Sequence, residues 1–121
     1  MRLLTLFFLL NNLISLSACG GTMKQYQKEN IEILSIQQLP SGSTEIQYKP
    51  ILESMYYCPG ASIYEEGGRQ KISLVRCGIK EKCNIDAIAE KLDQGIMKIV
   101  VPSTPESIDF VFSDGVIRAA Q

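Results

Sequence analysis

The chain has 121 residues, 45% of them hydrophobic, with 12 basic and 13 acidic side chains, a net charge of −1 and no histidine. That balance lacks the basic footprint of a nucleic-acid binder, and the missing histidine removes the commonest general base together with the Ser-His and Cys-His nucleophile pairs. The length admits one small core and not two.

The first elements in chain order belong to targeting. Met1-Arg2 supplies one positive charge, and an apolar run follows from Leu3 to Leu16, interrupted by Asn11-Asn12. A positive start, a short apolar stretch and small residues before a cut mark a secretory signal. A membrane-spanning helix needs about 20 predominantly apolar residues, more than this run provides. The run ends on Leu16-Ser17-Ala18-Cys19, which resembles the lipobox of bacterial lipoproteins: an aliphatic residue, two small residues and a cysteine. The resemblance implies that residues 1–18 are a signal peptide. It also implies that the Cys19 thiol carries a diacylglycerol and that Cys19 becomes the first residue of the mature chain. Several acyl chains on one residue anchor firmly, since each buried CH₂ contributes about 0.8 kcal/mol and a single chain is marginal. Gly20, where inner-membrane retention commonly uses Asp, points to the outer membrane, facing the periplasm.

Removing the first 18 residues leaves 103 residues and, with Arg2 gone, a net charge of −2. Residues 19–30 are polar and read as the lipidated N-terminus and a flexible tether. Residues 31–121 then form a single β-rich domain. Ile31–Ile36 reads as a strand whose apolar residues switch face between Ile33 and Leu34, the pattern of a bulge or of burial on both sides. Pro40 and Gly42 suit a turn, and Thr44–Tyr48 alternates as the returning strand. Between Tyr56 and Cys77, Gly67-Gly68 can make a two-residue turn. That register puts Glu66 opposite Arg69, Ile63 opposite Ile72, Ala61 opposite Leu74, Pro59 opposite Arg76 and Cys58 opposite Cys77. Asn84 can cap a short helix with Ile85, Ile88, Ala89 and Leu92 on one face and Gly95 at its end. Ile96–Val101 reads as a central strand, broken by Pro102–Pro105. Ile108, Phe110 and Phe112 alternate on the next strand. A hairpin at Asp114-Gly115 places Phe112 opposite Ile117 and Phe110 opposite Ala119. The expected fold is mainly β with one short helix, a small antiparallel sandwich or curled sheet.

Export puts Cys58, Cys77 and Cys83 in an oxidising compartment. All three pairings are open, and the hairpin register favours Cys58–Cys77. No zinc or other metal site is expected, because histidine is missing and no close cysteine pair is present. No phosphate loop, dinucleotide fingerprint or G-x-S-x-G appears, so neither a cofactor nor an enzyme is expected. Glu65-Glu66, and Glu29 with Glu32, read as solvated acids, and Arg76–Lys82, interleaved with Glu81, as a modest basic patch. Tyr56-Tyr57 is a candidate contact surface, alternation sending one ring inward and the other outward. The expected function is a non-enzymatic accessory of the cell envelope, held to the membrane by its lipid and binding an envelope protein. The alternative is a small inhibitor or immunity-type lipoprotein. Gly60-Ala61-Ser62-Ile63-Tyr64 loosely resembles the Gly-Ala-x-Tyr loop of the lipoproteins that inhibit lysozyme, with one residue more.

Overall fold

A computed structural model describes residues 25–120. The expected signal, the motif that resembles a lipobox and Cys19 lie outside the described residues. The body is mainly β: eleven strands and three single 3-10 turns are present among the described residues. Two sheets share one core, and neither closes into a barrel.

The first sheet runs in the order β1 (Ile31–Gln38), β2 (Thr44–Pro50), β9 (Met97–Val101), β8 (Glu90–Lys91). Alternation decides its faces. Thr44, Ile46 and Tyr48 are buried while Glu45, Gln47 and Lys49 turn outward. The register of β1 on β2 shifts between Ile33 and Ser35, so Leu34 is the extra residue, at the face switch seen in the sequence. Gly42, at φ 90, closes the turn between them. β9 lies inside the sheet, as expected, but only Ile99 and Val101 are buried. Lys98 and Val100 face outward, Lys98 reaching Glu90 and Glu45.

The second sheet runs β11 (Gly115–Arg118), β10 (Ile108–Phe112), β5 (Arg69–Leu74), β4 (Gly60–Glu66), β7 (Ala87–Ile88). Gly67 and Gly68, at φ 62 and 76, make the two-residue turn, and the register from Glu66↔Arg69 to Ala61↔Leu74 is the expected one. β10 pairs with β5 in parallel, the one parallel ladder among the described residues. A third, two-stranded ladder joins β3 (Tyr56–Tyr57) to β6 (Cys77–Gly78). The core takes Ile46, Tyr48, Ile99 and Val101 from the first sheet, and Ile72, Leu74, Phe110 and Phe112 from the second.

Four expectations are corrected. Residues 84–92 form no helix, and Asp93–Gly95 makes only a single 3-10 turn. Ile85, Ala87 and Ala89 face in, while Asp86, Ile88 and Glu90 face out, so the period is two and not 3.6. Edge pairing of β7 on Gly60-Ala61 and of β8 on β9 captures the segment. Gln94 and Gly95, both at positive φ, turn β8 into β9 instead of ending a helix.

The tether expected over residues 19–30 gives way to the body by Gln25. That residue bridges to Val75, Tyr26 is 2% exposed in the core, and Lys28–Asn30 is a 3-10 turn. The polar composition concealed one buried aromatic ring.

The β10–β11 register is shifted by two residues, Phe110 facing Ile117 and Phe112 facing Gly115. The turn falls on Ser113-Asp114 because the incoming chain holds it. Ser113 donates its N–H to the Tyr26 carbonyl at 3.0 Å, and the Lys28 N–H donates to the Asp114 carboxylate at 2.9 Å. An even shift keeps each side chain on its face, so Phe110 and Phe112 stay buried.

The favoured Cys58–Cys77 pairing is also overturned: Cys77 bonds to Cys83 and Cys58 is a free, buried thiol. Below Ala61↔Leu74 the hairpin slips by one residue. Tyr57 pairs with Cys77, leaving Cys58, Pro59 and Gly60 opposite only Val75 and Arg76. A one-residue slip reverses side-chain direction. Cys58 therefore points into the core, where its thiol and the Tyr48 hydroxyl hydrogen-bond at 3.2 Å.

Candidate functional site

The chain enters the fold and makes its most irregular excursion at the same end. β1 begins and β2 ends there, with Ile31 opposite Pro50. The Ile51 N–H donates to the Asn30 carbonyl at 2.9 Å, and Gln25, Ile51, Glu53 and Arg76 border one cleft of about 320 Å³. Pro50 ends the ladder, and residues 51–55 leave the sheet as a loop.

This loop exposes what a fold ordinarily hides. Leu52 is 95% exposed and Met55 59%, with Ile51 and Tyr57 about half exposed. Ile79, on the loop between Cys77 and Cys83, joins them through a cleft of about 140 Å³ shared with Met55 and Tyr56. Single exposed apolar residues are ordinary; a contiguous group marks a contact surface.

The loop is clamped. Arg76 reaches Glu53 with two nitrogens, Nε to Oε1 at 2.9 Å and Nη2 to Oε2 at 2.5 Å, the bidentate fork of a guanidinium on a carboxylate. The same guanidinium lies 3.7 Å from the centroid of the Tyr56 ring. Its hydrogen bonds, and then its charge, hold the Glu53 carboxyl below the usual carboxylate range. The backbone adds a bond from the Ile79 N–H to the Met55 carbonyl, and the Cys77–Cys83 disulfide closes the neighbouring loop. The apolar tip is thus presented by a braced frame, which lowers the ordering entropy lost on contact.

Of the residues singled out in the sequence, Tyr56 is half-buried beneath Arg76 and Tyr57 faces outward, at this end. Cys77 and Cys83 brace the same end. Cys58 is buried behind it, and burial pushes its thiol up from the ordinary value. Gly60–Tyr64 is not a loop but part of β4, paired with β5 from Ala61 onward and with β7 at Gly60-Ala61. Glu65 and Glu66 are exposed beside the Gly67-Gly68 turn at the opposite end. Ile51, Leu52 and Met55 were passed over because they sit in no periodic pattern. The visible signal was an apolar cluster after a strand-ending proline.

A second charged cluster lies on the outer face of the five-stranded sheet. Asp109, its side chain 5% exposed, accepts from Arg69 at 2.7 and 2.9 Å and from Lys71 at 2.8 Å. These two cations, Arg69 first, hold its carboxyl well below the usual carboxylate range. A depressed carboxylate contributes stability above its unfolded value near about 4, and that contribution is lost as pH falls through the folded value. Thermal melts should therefore show a loss of stability on acidification below about pH 4. Asp109→Asn should lower the melting temperature at neutral pH and flatten that acid slope. Equal slopes for the two proteins would reject Asp109 as a source of the acid sensitivity.

Among the described residues no group of His, Cys, Asp and Glu is arranged to hold a metal ion, and no helix is long and apolar enough to cross a membrane. No family model matches the chain, and neither a curated protein nor a solved structure matches it significantly.

Proposed function

We propose that the protein is a lipid-anchored lipoprotein of the bacterial cell envelope, a non-enzymatic accessory that holds an envelope protein partner near the membrane. The observation that carries this reading is Leu16-Ser17-Ala18-Cys19 at the end of the apolar run, the motif at which lipoproteins are acylated and cut. The reading places the protein in the outer membrane, facing the periplasm. The absence of histidine and of any nucleophile, phosphate or dinucleotide motif favours binding over catalysis. A disulfide between Cys77 and Cys83 suits an oxidising compartment. A braced apolar surface is what contact, more than chemistry, requires.

Metabolic labelling with palmitate tests the anchor. The wild-type protein should take up label and migrate at the size of the cut form. Cys19→Ser should take up none and accumulate as the uncut precursor. Normal processing of Cys19→Ser, or a wild-type protein without acyl mass, would overturn the reading.

A further inference from the structure

The apolar side chains near Gln25 lie within a short length of chain of the residue expected to carry the lipid. Cys19 and Gln25 are six residues apart, a segment that spans at most about 20 Å when fully extended. Gln25 bridges to Val75 and borders the same cleft as Ile51, so the loop after β2 lies at the end nearest the lipid-bearing residue. A folded domain of about 100 residues has a radius of gyration near 13 Å and therefore a diameter of about 30 Å or more, too thick to fit between this end and a bilayer on so short a leash.

From this juxtaposition we infer that Ile51, Leu52, Met55, Tyr57 and Ile79 rest in the lipid–water interface as a second membrane contact, which orients the body on its anchor. The inference rests on the lipoprotein reading of Cys19. The chemistry of the patch fits lipid. Leu52 and Met55 are long, apolar and exposed, suited to the acyl boundary. Tyr57 has the amphipathic ring enriched at headgroup level. Lys49, Lys80 and Lys91 are exposed and border the clefts around the loop, where their stems can lie along apolar surface with their ammonium groups in the headgroups. Glu29, Glu32 and Glu81 border the same clefts, so the contact is driven by apolar burial and changes little with salt. The opposite end carries Pro40-Ser41, Glu65-Glu66 and Glu106, all exposed, with Tyr64 about half exposed beside Glu65. It is left facing the aqueous side, where a protein partner is met.

The chain has no tryptophan, so one introduced indole reports alone. Leu52→Trp and, separately, Met55→Trp are placed in the full-length gene, and Ser41→Trp serves as the opposite-end control. The processed, acylated proteins are reconstituted in vesicles of phosphatidylethanolamine and phosphatidylglycerol containing a phosphatidylcholine brominated in its acyl chains. The indole at position 52 or 55 should emit at shorter wavelength than the one at 41 and be quenched by the bromines, with position 41 unquenched. Acylated protein whose indoles at 52 and 55 are unquenched in vesicles overturns the membrane contact while leaving the anchor intact. Shielding of these indoles only in native membranes also overturns it, assigning the loop to a protein. Loss of acyl mass with quenching at 52 and 55 retained removes the anchor and leaves the contact.

Discussion

Gly60→Ala is expected to lower the melting temperature by about 12–24 °C, the equivalent of about 3 kcal/mol in a body of this size. A Cβ built on Gly60 falls 1.9 Å from the carbonyl oxygen of Ala87 and 3.2 Å from Cδ1 of Ile85. The first contact is with backbone, which cannot rotate away, so β7 must leave its ladder. Two ladder pairs and two flanking hydrogen bonds go with it. Gly60 pairs with Ile88 and Ala61 with Ala87; the Asp86 N–H donates to the Ala61 carbonyl at 2.8 Å and the Ala89 N–H to the Pro59 carbonyl at 2.9 Å. The damage extends across the body, because Ala89 alone separates β7 in one sheet from β8 in the other. Gly68→Asn is the control. Gly68 has positive φ and no atom within 4 Å of an added Cβ, and Asn tolerates that backbone better than other side chains do. It should shift the melting temperature far less. If Gly60→Ala melts with the wild type in thermal circular dichroism, the close approach of β7 to β4 is wrong.

The same contact explains which parts of the fold were legible in the sequence. Elements specified by local pattern were read correctly: the alternation of Thr44–Tyr48, the face switch at Leu34, which the structure resolves as a bulge, and the Gly67-Gly68 turn with its register down to Ala61 opposite Leu74. Elements decided by what lies across the body were not. Residues 84–92 satisfy a helical and an alternating pattern at once. The choice falls to strand because Gly60, about 25 residues earlier, lets the Ala87 backbone approach. The turn before β11 moves by two residues because Tyr26 and Lys28 hold Ser113 and Asp114, a contact across 86 residues in the case of Lys28. The cysteine pairing turned on one extra residue at Pro59-Gly60, invisible to a register extrapolated from the turn. At the candidate site, what was legible of Tyr56 and Tyr57 is that one ring turns inward and the other outward, as alternation requires. The more exposed Leu52 and Met55 were not legible, since an apolar residue outside any period gives no sign of whether it is covered. The Arg76 clamp that presents them depends on Glu53, 23 residues away, and only the folded chain brings the two together.

Phe110→Ala and Leu52→Ala should divide stability from contact. Phe110 is 1% exposed on β10, which is hydrogen-bonded to β11 on one side and to β5 on the other, opposite Ile117 and Ile72. Truncation removes the ring and leaves a void between well-packed neighbours, a change that costs about 3–5 kcal/mol in folded cores. A domain of this size holds about 5–15 kcal/mol in all, so the variant should unfold at far lower denaturant with an unchanged slope m. Leu52 is larger than many core residues, yet 95% exposed. Its truncation removes no packing, and the expected shift in midpoint is within about 0.5 kcal/mol. Fold stability therefore does not account for a leucine at this position, whereas a surface that must be covered by something else does. A denaturant midpoint for Leu52→Ala as low as that of Phe110→Ala would place Leu52 among the residues that hold the body together, and the loop would lose its claim to be a contact surface. A wild-type midpoint, with the body still fully folded, leaves contact as the property that truncation at position 52 changes.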